Sequence, residues 1–456
     1  MLNFKMTPKK AYIHTFGCQM NMHDSEKMAG ILLNEGYTLT DAPQDADIIV
    51  FNTCSIRQKA EQKFRSELGR TKSLKKEKPF LRIAVAGCIA QQQGRGIIKN
   101  NPQVDYVFGP QNLQRLGDMI RAGGPGVLTG DIPVGDSTLR EISDSDLPVL
   151  RKDAIRAWVS IMYGCNNFCS YCVVPYTRGR EKSRPAGSIY EEIRKLASAG
   201  FKEVTLLGQN VNSYKSEIGF GGLLRQIDAI EGIERIRFVT SHPRDFSEDL
   251  IECIKELPKV CEHIHLPLQS GSSRILKGMN RGYTYEDYMR KADKLIKKIP
   301  GIAITTDIIT GFPSETVDDH ASTMMALRAV EFDGIFAFKF SSRPGTKAAV
   351  MDEKVPDSVK SQRLAEILEL QDEITLKKNK ALEGTMQEVL IEGASKTDKG
   401  KITGRTRTNK IVNFSGNKVS PGQIADVSIV KAMRHSLVGI DSQREEELMF
   451  KDKDFR

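Results

Sequence analysis

The run Gly164-Cys165-Asn166-Asn167-Phe168-Cys169-Ser170-Tyr171-Cys172 spaces three cysteines as C-x3-C-x2-C. Thiolate is the natural ligand of iron–sulfur clusters, and a loop this short can wrap one. Three thiolates on a four-iron cluster leave one iron open to a non-protein ligand, so the run reads as a site for chemistry rather than for cross-linking. Zinc is the competing reading. It takes four ligands, usually from paired C-x2-C or Cys/His units, and the nearest histidines, His242 and His263, are distant in sequence.

The same run sets the architecture around it. It follows a strand-like stretch at 158–162, the first of six strand-then-helix repeats, the others having strands at 203–207, 236–240, 263–268, 302–309 and 335–340. That alternation predicts a parallel sheet. Six repeats are too few for a closed eight-stranded barrel, so the pattern predicts an open (β/α)6 partial TIM barrel with its site at the carboxyl ends of the strands. Those ends carry Cys165, then Gln209-Asn210-Val211-Asn212, Ser241-His242, Gln269-Ser270-Gly271, Gly311-Phe312-Pro313 and Ser341-Ser342-Arg343. Polar and glycine residues crowd the face where a ligand would sit.

Upstream, apolar runs at 11–16, 47–53 and 81–87 each lead to a cysteine: Cys18, Cys54 and Cys88. Helical patterns at 25–34 and 57–72 separate the runs, so this part predicts an open parallel α/β domain. Ligands of such sheets gather beyond the carboxyl ends of the strands. Cysteines far apart in sequence can therefore converge there as a second triad. Gly123-Gly124-Pro125-Gly126 and the polar segment 135–146 read as the linker to the barrel.

Downstream, 358–383 reads as a charged, leucine-spaced helix, and from Thr385 short strands at 387–392, 411–414 and 424–430 alternate with glycine-rich turns. This predicts a small β-barrel, a shape often used for oligonucleotides. From Gly384 to Asp441 there are nine Lys/Arg and five Asp/Glu, so the barrel is basic. The domains are thus expected at 9–125, 150–378 and 379–442.

The 456 residues, 27% of them charged and 39% hydrophobic, exclude large-scale disorder. No run of 18 apolar residues is present, and Met1-Leu2-Asn3-Phe4-Lys5 lacks a signal-peptide core. A cytoplasmic protein without a membrane partner is expected. In that reducing compartment the eight cysteines are metal ligands or redox groups before they are disulfides. Cys253 and Cys261 lack triad spacing and read as small buried hydrophobes. Trp158, His263 and His265 read as packed strand residues. A formal charge of +9 favours an anionic partner.

C-x3-C-x2-C with Tyr171 before the last cysteine resembles the radical S-adenosylmethionine (SAM) superfamily, and the match reaches further. Thr15-Phe16-Gly17-Cys18-Gln19-Met20-Asn21, Asn52-Thr53-Cys54 and Gly87-Cys88 resemble the N-terminal domain of its methylthiotransferases. So do the continuation Val173-Val174-Pro175-Tyr176-Thr177-Arg178-Gly179-Arg180-Glu181, the run His265-Leu266-Pro267-Leu268-Gln269-Ser270-Gly271 and the run Thr310-Gly311-Phe312-Pro313-Ser314-Glu315-Thr316. The tail Gly404-Arg405-Thr406-Arg407-Thr408-Asn409-Lys410-Ile411-Val412-Asn413-Phe414 resembles the family's RNA-binding TRAM domain. The resemblance runs from about Lys9 to Gly439.

That resemblance implies methylthiolation of C2 of N6-isopentenyladenosine at position 37 of tRNA. Threonylcarbamoyladenosine in tRNA or a ribosomal protein is the alternative substrate, and a non-catalytic iron–sulfur RNA-binding module is the alternative of another class. It implies two clusters of the [4Fe–4S] type. Cys165, Cys169 and Cys172 would hold the radical SAM cluster, and Cys18, Cys54 and Cys88 an auxiliary one. In the family scheme one SAM methylates a sulfur at the auxiliary site, and a second yields the radical that removes hydrogen from C2.

Tyr171, Gln209, Asn210, Ser241, Gly311 and Phe312 are the implied SAM contacts; polar strand ends also serve as plain helix caps. Arg178, Arg180 and Arg184 border the cleft and read as contacts to tRNA phosphates or to SAM, or else as a solvated, salt-bridged face. Arg405, Arg407 and Lys410 read as RNA-backbone contacts. A base of an anticodon stem-loop must be unstacked to be modified; Tyr176 and Phe16 could hold it, or could be ordinary packing. The implied electron donor is a flavodoxin or ferredoxin, and the chain is expected to be a monomer.

Overall fold

The computed structural model describes residues 8–55, 58–130, 147–396, 398, 400–416 and 419–441. The segment 135–146, read above as linker, lies outside them, as does position 57 at the start of an expected helix.

The N-terminal part is a six-stranded parallel sheet of β1 (Lys9–Thr15), β2 (Tyr37–Leu39), β3 (Ile48–Thr53), β4 (Arg82–Gly87), β5 (Tyr106–Phe108) and β6 (Gly126–Leu128), in the order β2-β1-β3-β4-β5-β6. Every residue of β3 is buried because helices cover both faces. Ile48 and Val50 pack with Met28 and Leu32 of helix Gln19–Asn34, while Ile49 and Phe51 pack with Phe64 and Leu68 of helix Gln58–Glu77. β2, β5 and β6 are three residues each, too short to register as periodic runs. The sheet continues through β6 at Leu128, beyond the boundary expected at 125. Strand order reverses between β1 and β3, which places the ligand crevice of such a sheet at their carboxyl ends.

The central part has the expected six parallel strands, in two halves. One is β11-β10-β7 and the other β12-β13-β14. The members are β7 (Arg156–Ser160), β10 (Glu203–Leu207), β11 (Arg235–Phe238), β12 (His263–His265), β13 (Ala303–Thr310) and β14 (Gly334–Lys339). A parallel bridge between Ile236 and Val260 joins the halves, and β7 and β14 are the unpaired outer edges. A two-strand ribbon of β8 (Met162–Tyr163) and β9 (Lys182–Ser183) brackets the cysteine loop.

Strand alternation divides the barrel residues. Ala157, Val159, Val204, Leu206, Ile236, Ile264, Ile304 and Ile308 face the helices and form the main core. Trp158, Thr205, Arg237, His265 and Asp307 occupy the alternate, inward positions. Trp158 is therefore half-buried on the inner wall rather than in the apolar core expected for it.

The C-terminal part is a closed five-strand barrel of β15 (Met386–Ala394), β16 (Ile402–Thr406), β17 (Ile411–Ser415), β18 (Ile424–Ala432) and β19 (Leu437–Asp441), in the order β15-β16-β17-β19-β18. Helix Asp357–Lys380 leads into it. The barrel docks on the amino ends of the central strands. Arg156, the first residue of β7, pairs with Glu392. Arg235, the first of β11, donates to the Arg405 carbonyl at 2.6 Å and pairs with Glu388 at 2.8 Å. Arg237 donates to the carbonyls of Thr406 and Arg407, each at 2.8 Å. The small barrel thus closes the floor of the larger one.

Candidate active site: two cysteine triads

Cys18, Cys54 and Cys88 stand just beyond the carboxyl ends of β1, β3 and β4, three adjacent strands. Cys18 precedes helix Gln19–Asn34, and Cys88 opens helix Cys88–Gln93. Gly17 allows the approach: its φ is +141°, and a Cβ there would lie 2.5 Å from the Cys54 Cβ. A buried amide clip fixes the strand ends. Asn21 Nδ2 donates to Asn52 Oδ1 and to the Thr53 carbonyl, both at 3.1 Å, while Asn52 Nδ2 donates to the Asn21 carbonyl at 2.7 Å.

A hydrogen bond from Cys54 brings the Cys18 thiol down to about 6, aided by the positive charge of Arg178 and opposed by burial. Arg178 follows the other triad in sequence, at the end of the short helix Val174–Thr177, which packs on helix Cys88–Gln93. Its guanidinium is 6% exposed and donates to Asp24 at 2.8 Å. The charges of Cys88 and Cys18 also act on it. One arginine thus ties the loop after the tight triad to the spread triad.

The tight triad lies between β8 and β9. Gly164 has φ +71°, and a Cβ there would collide with the Arg180 carbonyl. The loop is tied down by Cys165 N–H to the Gly179 carbonyl at 3.2 Å, Ser170 N–H to the Met279 carbonyl at 2.9 Å and Asn280 Nδ2 to the Phe168 carbonyl at 3.0 Å. Burial pushes the Cys172 thiol up to about 12, with the neighbouring Cys169 adding to it, and burial also raises Cys165. Arg281, fully enclosed, donates to the Cys169 sulfur at 3.3 Å and to Tyr171 Oη at 3.4 Å. Arg244 donates to Asn167 Oδ1 at 2.5 Å.

Among the described residues no three His, Cys, Asp or Glu side chains are close enough to enclose a single metal ion. All-thiol triads are the donor set of an iron–sulfur cluster. The polar groups beside the tight triad fit a polar ligand bound there. The amide of Gln209, Asn210 Oδ1, Ser241 Oγ, His242 Nε2 and Gln269 Oε1 are buried with no hydrogen-bond partner, all just past β10, β11 and β12. Buried polar atoms are normally paired, so this row is built to meet a ligand's own polar groups. Burial and the charges of Arg281, Arg244 and Lys291 hold His242 down to about 2, so it is neutral.

The other implied SAM contacts fall differently. Tyr171 packs against the cluster of Ile275, Met279, Phe312 and Phe340. Phe312 is wholly buried in that cluster, and Gly311 donates its N–H to Glu315 Oε1 at 2.9 Å, so Phe312 supports the wall rather than lining it.

Most of the six basic side chains named from the sequence are paired within the chain. Arg178 is buried as described. Arg184 is buried against the Ser160 carbonyl at 2.6 Å and Glu192 at 2.8 Å. Arg405 bonds Glu392 at 2.8 Å, Arg407 bonds Glu262 at 2.7 Å and Lys410 bonds Asp333 at 3.0 Å. These five groups are held by the protein itself, four of them across domain boundaries or at the foot of the barrel, because cations near buried carboxylates and carbonyls pair with them first. Arg180 alone of the six is exposed, with its guanidinium 4.4 Å from the centre of the Phe168 ring. Phe16 is also enclosed, stacked on His14 at 4.2 Å, whereas Tyr176 is 54% exposed beside Phe168. Sequence reading missed Arg281, Arg244 and Asp24. None lies in a cysteine motif, and only the buried company they keep marks them.

Three family models match the chain: "uncharacterized protein family UPF0004" over residues 10–109, the radical SAM superfamily over 159–327 and the TRAM domain over 380–440. A tRNA-2-methylthio-N(6)-dimethylallyladenosine synthase of Thermodesulfovibrio yellowstonii is 54% identical over 436 residues, covering 95% of this chain and 99% of that protein. Synthases of the same name from Clostridium botulinum and Syntrophus aciditrophicus are each 48% identical, over 94% and 95% of this chain and 96% and 95% of theirs. Among solved structures, the radical SAM methyltransferase TsrM of Kitasatospora setae aligns with a TM-score of 0.55 at 16% identity, over 75% of this chain and 77% of that one. At that identity the likeness is one of fold.

Proposed function

This chain belongs to the tRNA-2-methylthio-N(6)-dimethylallyladenosine synthase family, and from that premise we propose how its residues divide the work. The reaction is methylthiolation of C2 of N6-isopentenyladenosine in tRNA, at position 37 beside the anticodon. The observation that carries this reading is that Arg178, just past the tight triad in sequence, pairs with Asp24 and lies within the charge field of Cys18 and Cys88 of the spread triad.

Cys165, Cys169 and Cys172 would hold the radical SAM cluster, and Cys18, Cys54 and Cys88 the auxiliary cluster. When bound, the two clusters and SAM supply the sulfur, the methyl group and a carbon radical able to take hydrogen from an unactivated aromatic carbon. Gln209 and Asn210 would meet the amino-acid end of SAM with their unpaired polar atoms, and Ser241 would be a further contact. Arg281 anchors the Cys169 side of the loop, and Arg178 keeps the spread triad next to it. The buried walls keep water from the reacting carbon.

RNA contact rests on the TRAM barrel as a unit and on the exposed Arg180 with Tyr176. No helix of the described residues is long and apolar enough to cross a membrane. A cytoplasmic monomer that receives its electron from a flavodoxin or ferredoxin completes the reading.

The test is anaerobic reconstitution with iron and sulfide, incubation with SAM, a strong reductant and isopentenylated tRNA, and mass spectrometry of the digested nucleosides. The methylthio nucleoside is expected with the native chain and absent with Cys165→Ala. SAM cleavage without that nucleoside would move the substrate elsewhere; no cleavage with both clusters loaded would overturn the reading.

A further inference from the structure

The inner wall of the central barrel carries a feature that the triads leave unused. Phe336 on the edge strand β14 is 52% exposed, and Phe338, two residues on, is 38% exposed. Large apolar groups of a barrel wall are ordinarily covered. Their neighbours Ile335 and Ala337 pack on the main core, so by strand alternation the two phenyl rings point to the opposite, inward face.

Register gives them their company. Phe336 pairs with Asp307, and Phe338 with Ile309. Asp307 lies 3.4 Å from His265 Nε2, while His265 Nδ1 is 3.1 Å from Thr305 Oγ1. The His265 ring meets Phe336 edge-on, with centroids 5.8 Å apart. Ile309, on the same face, packs against the buried cluster of Ile275, Met279, Phe312 and Phe340, on which Tyr171 of the tight-triad loop also packs. The aromatic strip is therefore continuous with the wall of the radical site, and it lies on the edge where β14 has no strand partner towards β7. A ligand entering by that open side would pass it.

We infer that Phe336, with Phe338 beside it, seats the apolar N6-dimethylallyl substituent of the substrate adenine, and that His265, held by Thr305 and Asp307, borders the polar edge of the base. This rests on the function proposed above and adds to it the residue that distinguishes prenylated from plain adenosine. An apolar five-carbon group matches a half-exposed phenyl strip better than it matches the polar row at Gln209, Ser241 and His242. Discrimination by one apolar group in an apolar seat is worth roughly tenfold to a hundredfold.

The experiment measures binding of two RNA stem-loops, alike except for adenosine or N6-dimethylallyladenosine at the target position, to the reconstituted holoenzyme without reductant. The native chain is expected to prefer the prenylated RNA by roughly tenfold or more. Phe336→Ala, a change at a half-exposed site, is expected to remove most of that preference and leave the affinity for plain RNA within about twofold. Phe336→Leu should restore part of it. An unchanged preference in Phe336→Ala overturns the inference. So does an equal loss for both RNAs, which would mean that the ring stacks on the base itself, and so does a native chain without preference. Failure of the parent reading is separable: prenyl-selective binding that depends on Phe336, with no methylthio nucleoside under reducing conditions, leaves the seat in place and removes the reaction.

Discussion

The two triads use the same ligand type in opposite electrostatic settings. The spread triad sits at the open ends of three strands beside a guanidinium, with Cys18 brought down to about 6. The tight triad sits in a loop where burial and the neighbouring Cys169 lift Cys172 to about 12. In the first site Cys18 is ready as thiolate at neutral pH before any metal arrives. In the second, Cys172 becomes thiolate only when metal displaces its proton, so loading there is coupled to proton release. The contrast teaches that sequence spacing groups the thiols, while the surrounding charge decides in which protonation state each one waits.

The largest effects should come from removing one cysteine at a time. Cys169→Ala is expected to abolish both SAM cleavage and the methylthio product, whereas Cys54→Ala should keep SAM cleavage and lose the product. Loss of cleavage in both variants would erase the division of labour between the triads.

Next is the link between them. Arg178→Gln leaves Asp24 buried without its partner, which costs about 3–5 kcal/mol for a broken buried pair. A lowered melting temperature, rescued by the double variant with Asp24→Asn, is the expected outcome. An unchanged melting temperature with weakened RNA binding would return Arg178 to the phosphate-contact role that its sequence position invites.

A smaller effect is expected at the barrel floor. Arg407→Ala removes a partly exposed pair with Glu262, worth about 0.5–1 kcal/mol. Protease sensitivity near residue 380 should rise, with RNA affinity changing less than about twofold on the single-contact scale of surface charges.

The finest test is of pH. In the metal-free protein Cys18 loses its thiolate only below about pH 6, so its alkylation rate should stay flat from pH 8 to 7 and fall tenfold per unit below about 6. Cys172 remains protonated through this range and should react slowly throughout. Equal rates at the two positions would cancel the electrostatic contrast.

Much of this was legible in the sequence. The six strand–helix repeats, the closed terminal barrel and both cysteine groups follow from periodicity and spacing, because strand ends recur where apolar runs stop. β2, β5 and β6 escaped that reading because three residues carry no period, and β16 and β19 of the terminal barrel escaped it as well. Phe16 and Trp158 exchanged roles for a related reason. An aromatic next to a motif looks available and one within a strand looks packed, yet only strand alternation against neighbours settles which face each takes. Phe16 stacks away under His14, and Trp158 turns inward.

By itself the sequence determined the fold class and the family and supplied the cysteines proposed as ligands, since a thiol's chemistry travels with the residue and hydrophobic period with the strand. Tertiary structure alone decided the use of the basic side chains. Arg178, Arg184, Arg405, Arg407 and Lys410 look alike on paper as cations waiting for phosphate. Folding brings carboxylates and carbonyls from distant segments to each of them, and a guanidinium withdrawn from water must take the nearest partner. The sequence lists charges; which are satisfied within the chain and which remain for RNA depends on distances that exist only after the three domains close on one another.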